Sequence, residues 1–270
     1  MDKKILDTIF NFAGKRWGTP KISNYVTEGD FIRLGARVAA DISKGKTKAR
    51  KILRLAGQAG SGKSSVLMPA ALEALAAAGI NPVHLAVRDF APHHPRYAQI
   101  KAEYGEENLR ENTNAFAYTL LAYVLEKLVR EGFYVLHEVT LCGSPFENFW
   151  AGLLCANGYK AEVHAIAMPK KVSDELIEQR TDGRKVSDIS KDFFFKMMPV
   201  SLAILRDELP DGGLIIWSAT EGKPVFAGKC SSPEAPTAFN KYRALSPYAP
   251  MDKAELLSAR KAWFMDRLGI

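Results

Sequence analysis

The stretch Gly57-Gln58-Ala59-Gly60-Ser61-Gly62-Lys63-Ser64 constrains the fold more than any other part of the sequence. It has the spacing GxxxxGK[ST], directly after the apolar run ILRLA and before an amphipathic run. Glycines let the backbone curl so that successive N–H groups face one point, and the start of a helix adds partial positive charge. This strand–loop–helix unit is typical of a phosphate-binding loop, or P-loop. The residues predicted to bind nucleotide phosphate are Gly57, Gln58, Ala59, Gly60, Ser61, Gly62, Lys63, Ser64 and Ser65.

Two side chains of this loop have distinct predicted roles. Lys63 reaches the β- and γ-phosphates of a bound nucleotide, and the Ser64 hydroxyl ligates Mg²⁺. The sequence therefore predicts ATP or GTP together with Mg²⁺ as cofactors.

The order of elements predicts an α/β P-loop NTPase fold, with a mostly parallel sheet flanked by helices and a C-terminal hairpin and helix. Predicted strands are 52–56, 83–87, 133–136, 162–167, 214–218 and 224–229. Predicted helices are 64–78, 113–130, 172–179, 190–209 and 252–268. We expect Pro69 to bend the helix after the loop without breaking it. The predicted division is a helical and basic lead-in (1–50), a P-loop domain (51–230) and a C-terminal connector and helix (231–270).

Charge and composition exclude several classes of protein. The net charge is +7, but five of the basic residues lie within residues 44–51, so the basic character is mainly local. This argues against a dedicated nucleic-acid binder and leaves a solvated linker as the alternative interpretation of that stretch. The three cysteines form no CxxC pair, as in a reduced protein of the cytoplasm. Asp7 interrupts the first apolar run and no run reaches the ~20 residues of a membrane span, so we expect a cytoplasmic protein without a membrane partner.

Two carboxylates follow predicted strands. Asp89 ends the strand VHLAVRD and Glu138 ends the strand FYVLHEVT. Catalytic groups of doubly wound folds lie at the carboxyl ends of strands, so either could be a general base or an outer-sphere Mg²⁺ ligand. The alternatives are a helix cap for Asp89 and a surface charge for Glu138.

Arg180 and Arg184 stand four positions apart after Met168-Pro169-Lys170. A helix would place both guanidinium groups on one side, where they could clamp a transferring phosphoryl group. A solvated, salt-bridged helix face is the alternative.

Taken in order, these elements resemble the zeta-toxin family of P-loop kinases. The resemblance extends from Gly57 to about Leu205. Its pieces are GQAGSGKSS, Asp89 followed by His94-Pro95-Arg96-Tyr97, Arg130-Glu131-Gly132, Glu138-Val139-Thr140, Met168-Pro169-Lys170, and Arg180 with Arg184.

The resemblance implies roles for these residues. Asp89 would be the base for the acceptor hydroxyl, Lys63 would bind nucleotide phosphate, and Arg180 and Arg184 would stabilise the transferred group. The substrate-binding residues would be Glu138, Thr140, Arg96 and Tyr97. The family's best-known acceptor is the nucleotide sugar UDP-N-acetylglucosamine, phosphorylated on the sugar 3-hydroxyl with ATP and Mg²⁺. Such toxins are commonly neutralised by a small helical antitoxin that blocks the nucleotide site.

Two other functions remain open on sequence grounds. One is a P-loop kinase of another acceptor, such as a nucleic-acid end, a nucleotide or an antibiotic, which the basic stretch 44–51 would favour. The other is a nucleotide-dependent switch that binds ATP without transferring phosphate. A switch does not need an acceptor base, so Asp89 and the arginine pair argue against it.

Overall fold

Six strands form one sheet in the computed structural model, which describes residues 3–17, 26–180, 186–219, 221–244 and 252–270. In chain order they are β1 (Lys51–Ala56), β2 (Val83–Ala86), β3 (Val135–Val139), β4 (Lys160–Ala167), β5 (Gly213–Ser218) and β6 (Pro224–Lys229). The order across the sheet is β2-β3-β1-β4-β5-β6, and only the β5–β6 pair is antiparallel among these strands. The predicted mostly parallel α/β sheet with a C-terminal hairpin is therefore confirmed.

Nine α-helices lie in the described part of the chain. They are α1 (Lys3–Trp17), α2 (Glu28–Ser43), α3 (Met68–Ala77), α4 (Tyr97–Arg130), α5 (Phe146–Ala156), α6 (Lys170–Glu178), α7 (Asp188–Glu208), α8 (Ala235–Ala244) and α9 (Lys253–Leu268). A π-helical turn (Lys63–Leu67) precedes α3, and a 3₁₀-helix (Val87–His93) follows β2. Of the helices just named, none combines the length and the apolar character that crossing a bilayer requires.

Helices cover both faces of the sheet, and each face has its own core. Along β1, Ile52 and Ala56 belong to one cluster of buried residues, whereas Leu53 and Leu55 belong to the other. Successive side chains of a strand point to opposite faces, so the two clusters lie on opposite sides of the sheet. The first cluster includes buried side chains of α4, and the second includes those of α3 and α9.

The register of the central strands positions the P-loop. β1 lies between β3 and β4, with Leu55 opposite Glu138 and Ala56 opposite Val139. The loop that follows Ala56 therefore begins beside the carboxyl end of β3. Strands β2 and β3 lie on one side of β1, and β4, β5 and β6 lie on the other. The strand order therefore reverses next to β1, and open α/β sheets bind their ligands at such a switch point.

Pro69 is accommodated by the π-helical turn. The N–H groups of Leu67 and Met68 bond to the oxygens of Gly62 and Lys63, five residues back, so the turn is wider than an α-helical turn. Pro69 then falls in the first turn of α3, where its missing N–H has no helical partner to lose. The predicted single helix 64–78 is thus two elements.

Two further segments differ from the sequence-based boundaries. The predicted helix 113–130 begins sixteen residues earlier at Tyr97, with a kink at Gly105, whose φ of 75° favours glycine. Within the predicted connector, α8 forms and buries Ala235 and Phe239. Pro236 is tolerated because it stands at the start of that helix. The domain boundaries at residues 50 and 230 stay a prediction.

Candidate active site

The P-loop joins β1 to the π-helical turn. Gly60 and Gly62 have φ angles of 79° and 84°, in the left-handed region that side chains with a Cβ rarely adopt. A Cβ on Gly60 would also lie 2.4 Å from the backbone oxygen of Ser173. Gln58 ties the loop to α6, because its amide donates to the Ser173 hydroxyl over 2.6 Å. The loop is therefore held in shape by glycine conformation and by contacts with α6.

Lys63 is buried and bonded to the loop itself. Its ammonium donates to the backbone oxygens of Gly57 (2.6 Å) and Gln58 (3.0 Å). Burial lowers the pKa of Lys63 to about 8; the charge of Glu138 opposes this shift and that of Arg180 adds to it. A phosphate bound in the loop would supply the negative charge that this buried cation lacks.

Ser64, Glu138 and Arg88 form a polar cluster at the ends of β2 and β3. The Ser64 hydroxyl donates to Glu138, and the Arg88 guanidinium lies 3.0 Å from the other oxygen of that carboxylate. Burial alone would raise the pKa of Glu138, but Lys63, the Ser64 hydrogen bond and Arg88 together hold it below its usual value. An ionised carboxylate beside a hydroxyl is a donor set of hard oxygens that suits Mg²⁺, which keeps several waters. The residues present therefore fit the metal that the sequence predicts.

A cavity of about 240 Å³ opens beside this cluster. It reaches from the P-loop, past the end of β3, to the aromatic side chain of Trp150 in α5. The sequence-predicted site residues that line it are Ala59, Lys63, Ser64, Tyr97, Glu138, Thr140 and Arg180. Predicted site residues from four separate stretches of sequence thus meet around one space.

Two of the predicted catalytic and substrate-binding residues lie off the cavity wall. The Asp89 side chain is 50% exposed, pairs with Arg88 at 3.6 Å, and is not part of the cavity wall. The exposed Arg96 side chain donates to Gln99 and also lies off the wall. Arg184 falls outside the described residues. The catalytic and binding roles of these residues stay predictions.

Comparison with known proteins identifies the family. The family model for zeta toxin matches residues 36–212, which is more than half of the chain. The chain belongs to the zeta toxin family. Among curated proteins, none matches the sequence significantly. The resemblance read from the motifs is therefore confirmed, and membership of this family supports a kinase of the toxin type.

Solved structures share the fold of this zeta toxin family member. A chain from the PezAT chromosomal toxin–antitoxin system of Streptococcus pneumoniae superposes with a TM-score of 0.65 at 20% identity, covering 90% of this chain and 97% of that one. The AvrRxo1-ORF1:AvrRxo1-ORF2 complex with sulphate ions gives a TM-score of 0.54 at 14% identity, covering 89% and 85%. The same pair with ATP gives 0.51 at 15% identity, covering 89% and 82%. At these identities the likeness shows the fold alone.

The family motifs leave part of the cavity wall unmarked. Arg110 and Asn114 of α4 and His137 of β3 line the cavity, and the sequence did not single them out. The two residues of α4 lie four positions apart, but this spacing also describes any amphipathic helix. His137 is buried, and burial lowers its pKa well below the usual value, so the ring is neutral.

A buried ion pair supports the inner end of the cavity. Arg54 of β1 donates to Glu147 of α5 over 2.8 Å, with both side chains at most 1% exposed. Glu147 lines the cavity and its other oxygen accepts from the backbone N–H of Cys142. An arginine within the apolar strand ILRLA was the available sequence signal, because a charge at such a position requires a buried partner. Cys142 itself is buried, and burial raises the pKa of its thiol to about 12.

Proposed function

We propose that the chain is an ATP-dependent phosphotransferase that phosphorylates a sugar hydroxyl of UDP-N-acetylglucosamine, acting as the toxin of a toxin–antitoxin pair. One observation carries this proposal. Lys63, Ser64, Glu138 and Arg180 line a single cavity that continues beyond the P-loop to α5. A protein that only binds a nucleotide does not need that additional space.

The nucleotide half of the reaction follows from the P-loop. Backbone N–H groups of the loop would hold the phosphates, and Lys63 would exchange its bonds to loop oxygens for phosphate oxygens. Ser64 and Glu138 would hold Mg²⁺, which supplies charge neutralisation on the phosphates when bound. ATP in the AvrRxo1 structure of similar fold supports ATP as the donor.

The transfer step requires a base and cations. The oxygen of the acceptor hydroxyl would attack the γ-phosphorus while Asp89 accepts the hydroxyl proton. The bond between the γ-phosphorus and the β–γ bridging oxygen would break, which releases ADP. Asp89 stands next to Arg88, which already contacts Glu138. Arg180, together with Arg184, would stabilise charge on the transferred group. Thr140 and Tyr97 on the wall, and Arg96 near the start of α4, would contact the acceptor.

A partner protein is part of the proposal. The PezAT chain of similar fold comes from a toxin–antitoxin system, and the AvrRxo1 proteins form a complex of two chains. We expect a small helical antitoxin to cover the nucleotide site of this chain.

The basic stretch 44–51 does not favour a nucleic-acid acceptor. It precedes β1 at Lys51, whereas the P-loop follows the opposite end of that strand at Ala56. Its side chains also serve local packing, because Arg50 donates to the backbone oxygen of Asn157 and Lys48 lies 4.9 Å from the centre of the Phe133 ring. Neither contact points towards the cavity.

Phosphorus NMR tests the proposal. Purified protein with ATP and Mg²⁺ should convert UDP-N-acetylglucosamine into a product with one new phosphomonoester signal. Asp89→Asn should bind ATP normally but transfer on the order of 10²-fold more slowly, because it lacks the base. If the wild type leaves UDP-sugars unchanged but phosphorylates oligonucleotide ends, the proposed acceptor is wrong. If Asp89→Asn keeps wild-type turnover, another group is the base.

A further inference from the structure

One face of α4 forms a wall of the cavity. The residues of α4 that line it recur every three or four positions, which places them on one side of the helix. Beyond the kink at Gly105 they are Glu106, Leu109, Arg110, Thr113, Asn114, Tyr118 and Leu121. This helix packs on the opposite face of the sheet from α3, the helix that follows the P-loop. The wall is therefore built independently of the nucleotide loop.

Arg110 places a positive charge on this wall. The residue is half-buried, and its guanidinium lies 5.8 Å from the centre of the buried Phe194 ring of α7, a contact that restricts its position. Among the described residues, no carboxylate lies within ion-pair distance of it. The three carboxylates that line the cavity each have another cation: Glu106 has Lys101, Glu138 has Arg88, and Glu147 has Arg54.

Two buried polar groups accompany Arg110. Asn114 lies one helical turn further along, is 4% exposed and lines the same cavity. His137 faces this cavity from β3, and its buried Nδ1 atom has no hydrogen-bond partner among the described residues. Buried polar groups in proteins are nearly always bonded, so polar side chains gathered beside a cavity, one of them unbonded, indicate a ligand with complementary polar atoms.

We infer that this wall is the acceptor subsite, in which Arg110 binds an anionic phosphate group of the acceptor and Asn114 hydrogen-bonds the uncharged part next to it. The inference rests on the proposed function, because it assumes that the P-loop holds the donor nucleotide. A guanidinium is suited to this task, since its planar fork matches two phosphate oxygens and keeps its charge. Arg110 is thus a specificity-determining residue that selects phosphorylated acceptors over neutral sugars.

Calorimetry with UDP as the probe tests this subsite. The protein is first saturated with Mg²⁺ and a non-hydrolysable ATP analogue, so that the nucleotide loop is filled. UDP should then bind the wild type, and Arg110→Ala should bind it at least about tenfold more weakly, as expected for the loss of a charge-assisted hydrogen bond. Arg110→Lys should keep part of the affinity, and Asn114→Ala should lose a few-fold. Lys127→Ala, which removes a cation about 25 Å further along the same helix, should bind UDP like the wild type.

Three outcomes would overturn the inference. They are no UDP binding by the saturated wild type, equal UDP affinity of Arg110→Ala and wild type, or a loss of affinity for the ATP analogue in place of UDP. The proposed acceptor is tested independently of the subsite. If UDP binds through Arg110 but UDP-N-acetylglucosamine is not phosphorylated, the subsite stands and the acceptor is another phosphorylated compound. If the sugar nucleotide is phosphorylated equally well by Arg110→Ala, the function stands and the subsite is wrong.

Discussion

The two walls of the cavity differ in how far their polar groups are bonded within the protein. On the P-loop wall, Lys63 bonds to two loop oxygens, Ser64 bonds to Glu138, and Glu138 pairs with Arg88. On the α4 wall, Arg110 has no carboxylate partner among the residues whose side chains are described. The P-loop wall is therefore held in shape by its own bonds, whereas the α4 wall presents to the cavity a cation with no such partner in the described part of the chain.

This difference predicts separate roles for the two walls. A preorganised loop costs little reorganisation when phosphate binds, and preorganisation of charge is a large source of catalytic acceleration. A wall with unpartnered groups gains most from a ligand that satisfies them and rejects one that does not, which is how polar sites achieve specificity. We therefore expect substitutions on the P-loop wall to reduce transfer from ATP, and substitutions on the α4 wall to change which acceptor is used.

The largest expected effect is that of Lys63→Ala. This variant should lose at least about 10²-fold in turnover, because the developing charge on the transferring group loses its buried cation. Slow hydrolysis of ATP in the absence of acceptor should fall equally, since that reaction uses only the P-loop wall. Steady-state assays of ADP release with and without acceptor provide both numbers.

A matched control is Lys171→Ala, which removes an exposed lysine of the neighbouring α6. It should retain wild-type rates in both assays. Near-normal turnover of Lys63→Ala, with an intact fold by circular dichroism, would show that the transferring phosphate does not depend on the P-loop wall.

The P-loop wall could be predicted from sequence because its determinants are contiguous. Residues Gly57 to Ser64 form the phosphate-binding turn as one contiguous motif. The strand before them places this turn at the carboxyl edge of a parallel sheet. The strand ends also placed Glu138 beside the loop, because parallel strands bring their carboxyl ends to one edge. Asp89 follows β2 at the same edge, but its side chain is not part of the cavity wall. The 3₁₀-helix after β2 sets the direction of its side chain, and no sequence pattern marked that turn.

The α4 wall could not be predicted because its residues form no recognised motif and acquire their surroundings from elements that are distant in sequence. Arg110 is positioned by its contact with the Phe194 ring of α7, and Asn114 is a candidate binding residue because it lines the cavity. The helix was expected to start at residue 113, so Arg110 fell outside it. The kink at Gly105 lets the chain remain helical from Tyr97, and this brings Arg110 onto the wall.

A smaller effect is expected for Glu138→Gln, also on the P-loop wall. The amide cannot supply the negative charge that draws Mg²⁺ to Ser64, so half-maximal activity should require about tenfold more Mg²⁺. Saturating Mg²⁺ should restore most of the rate. Glu175→Gln, at an exposed position of α6, serves as the control and should leave the Mg²⁺ titration unchanged. A fall in rate that excess Mg²⁺ does not restore would instead identify Glu138 as a base and would move the proton-transfer step away from Asp89.

The smallest expected effect is a pH dependence confined to the P-loop wall. Burial lowers the pKa of Lys63 to about 8, so the protein without nucleotide loses this charge as the pH rises through 8. Bound phosphate favours the charged form and raises the pKa, so ATP binding above pH 8 must be accompanied by uptake of a proton. The apparent ATP affinity should therefore fall about tenfold between pH 7 and pH 9, because only about a tenth of the protein is then binding-competent.

Calorimetry in buffers of different ionisation enthalpy measures both the affinity and the proton uptake. Lys63→Ala should bind ATP weakly with no proton uptake in this range. The UDP affinity of the saturated enzyme should not change with pH, because guanidinium groups in general do not titrate here. Equal pH dependence of both ligands would remove the electrostatic distinction between the walls.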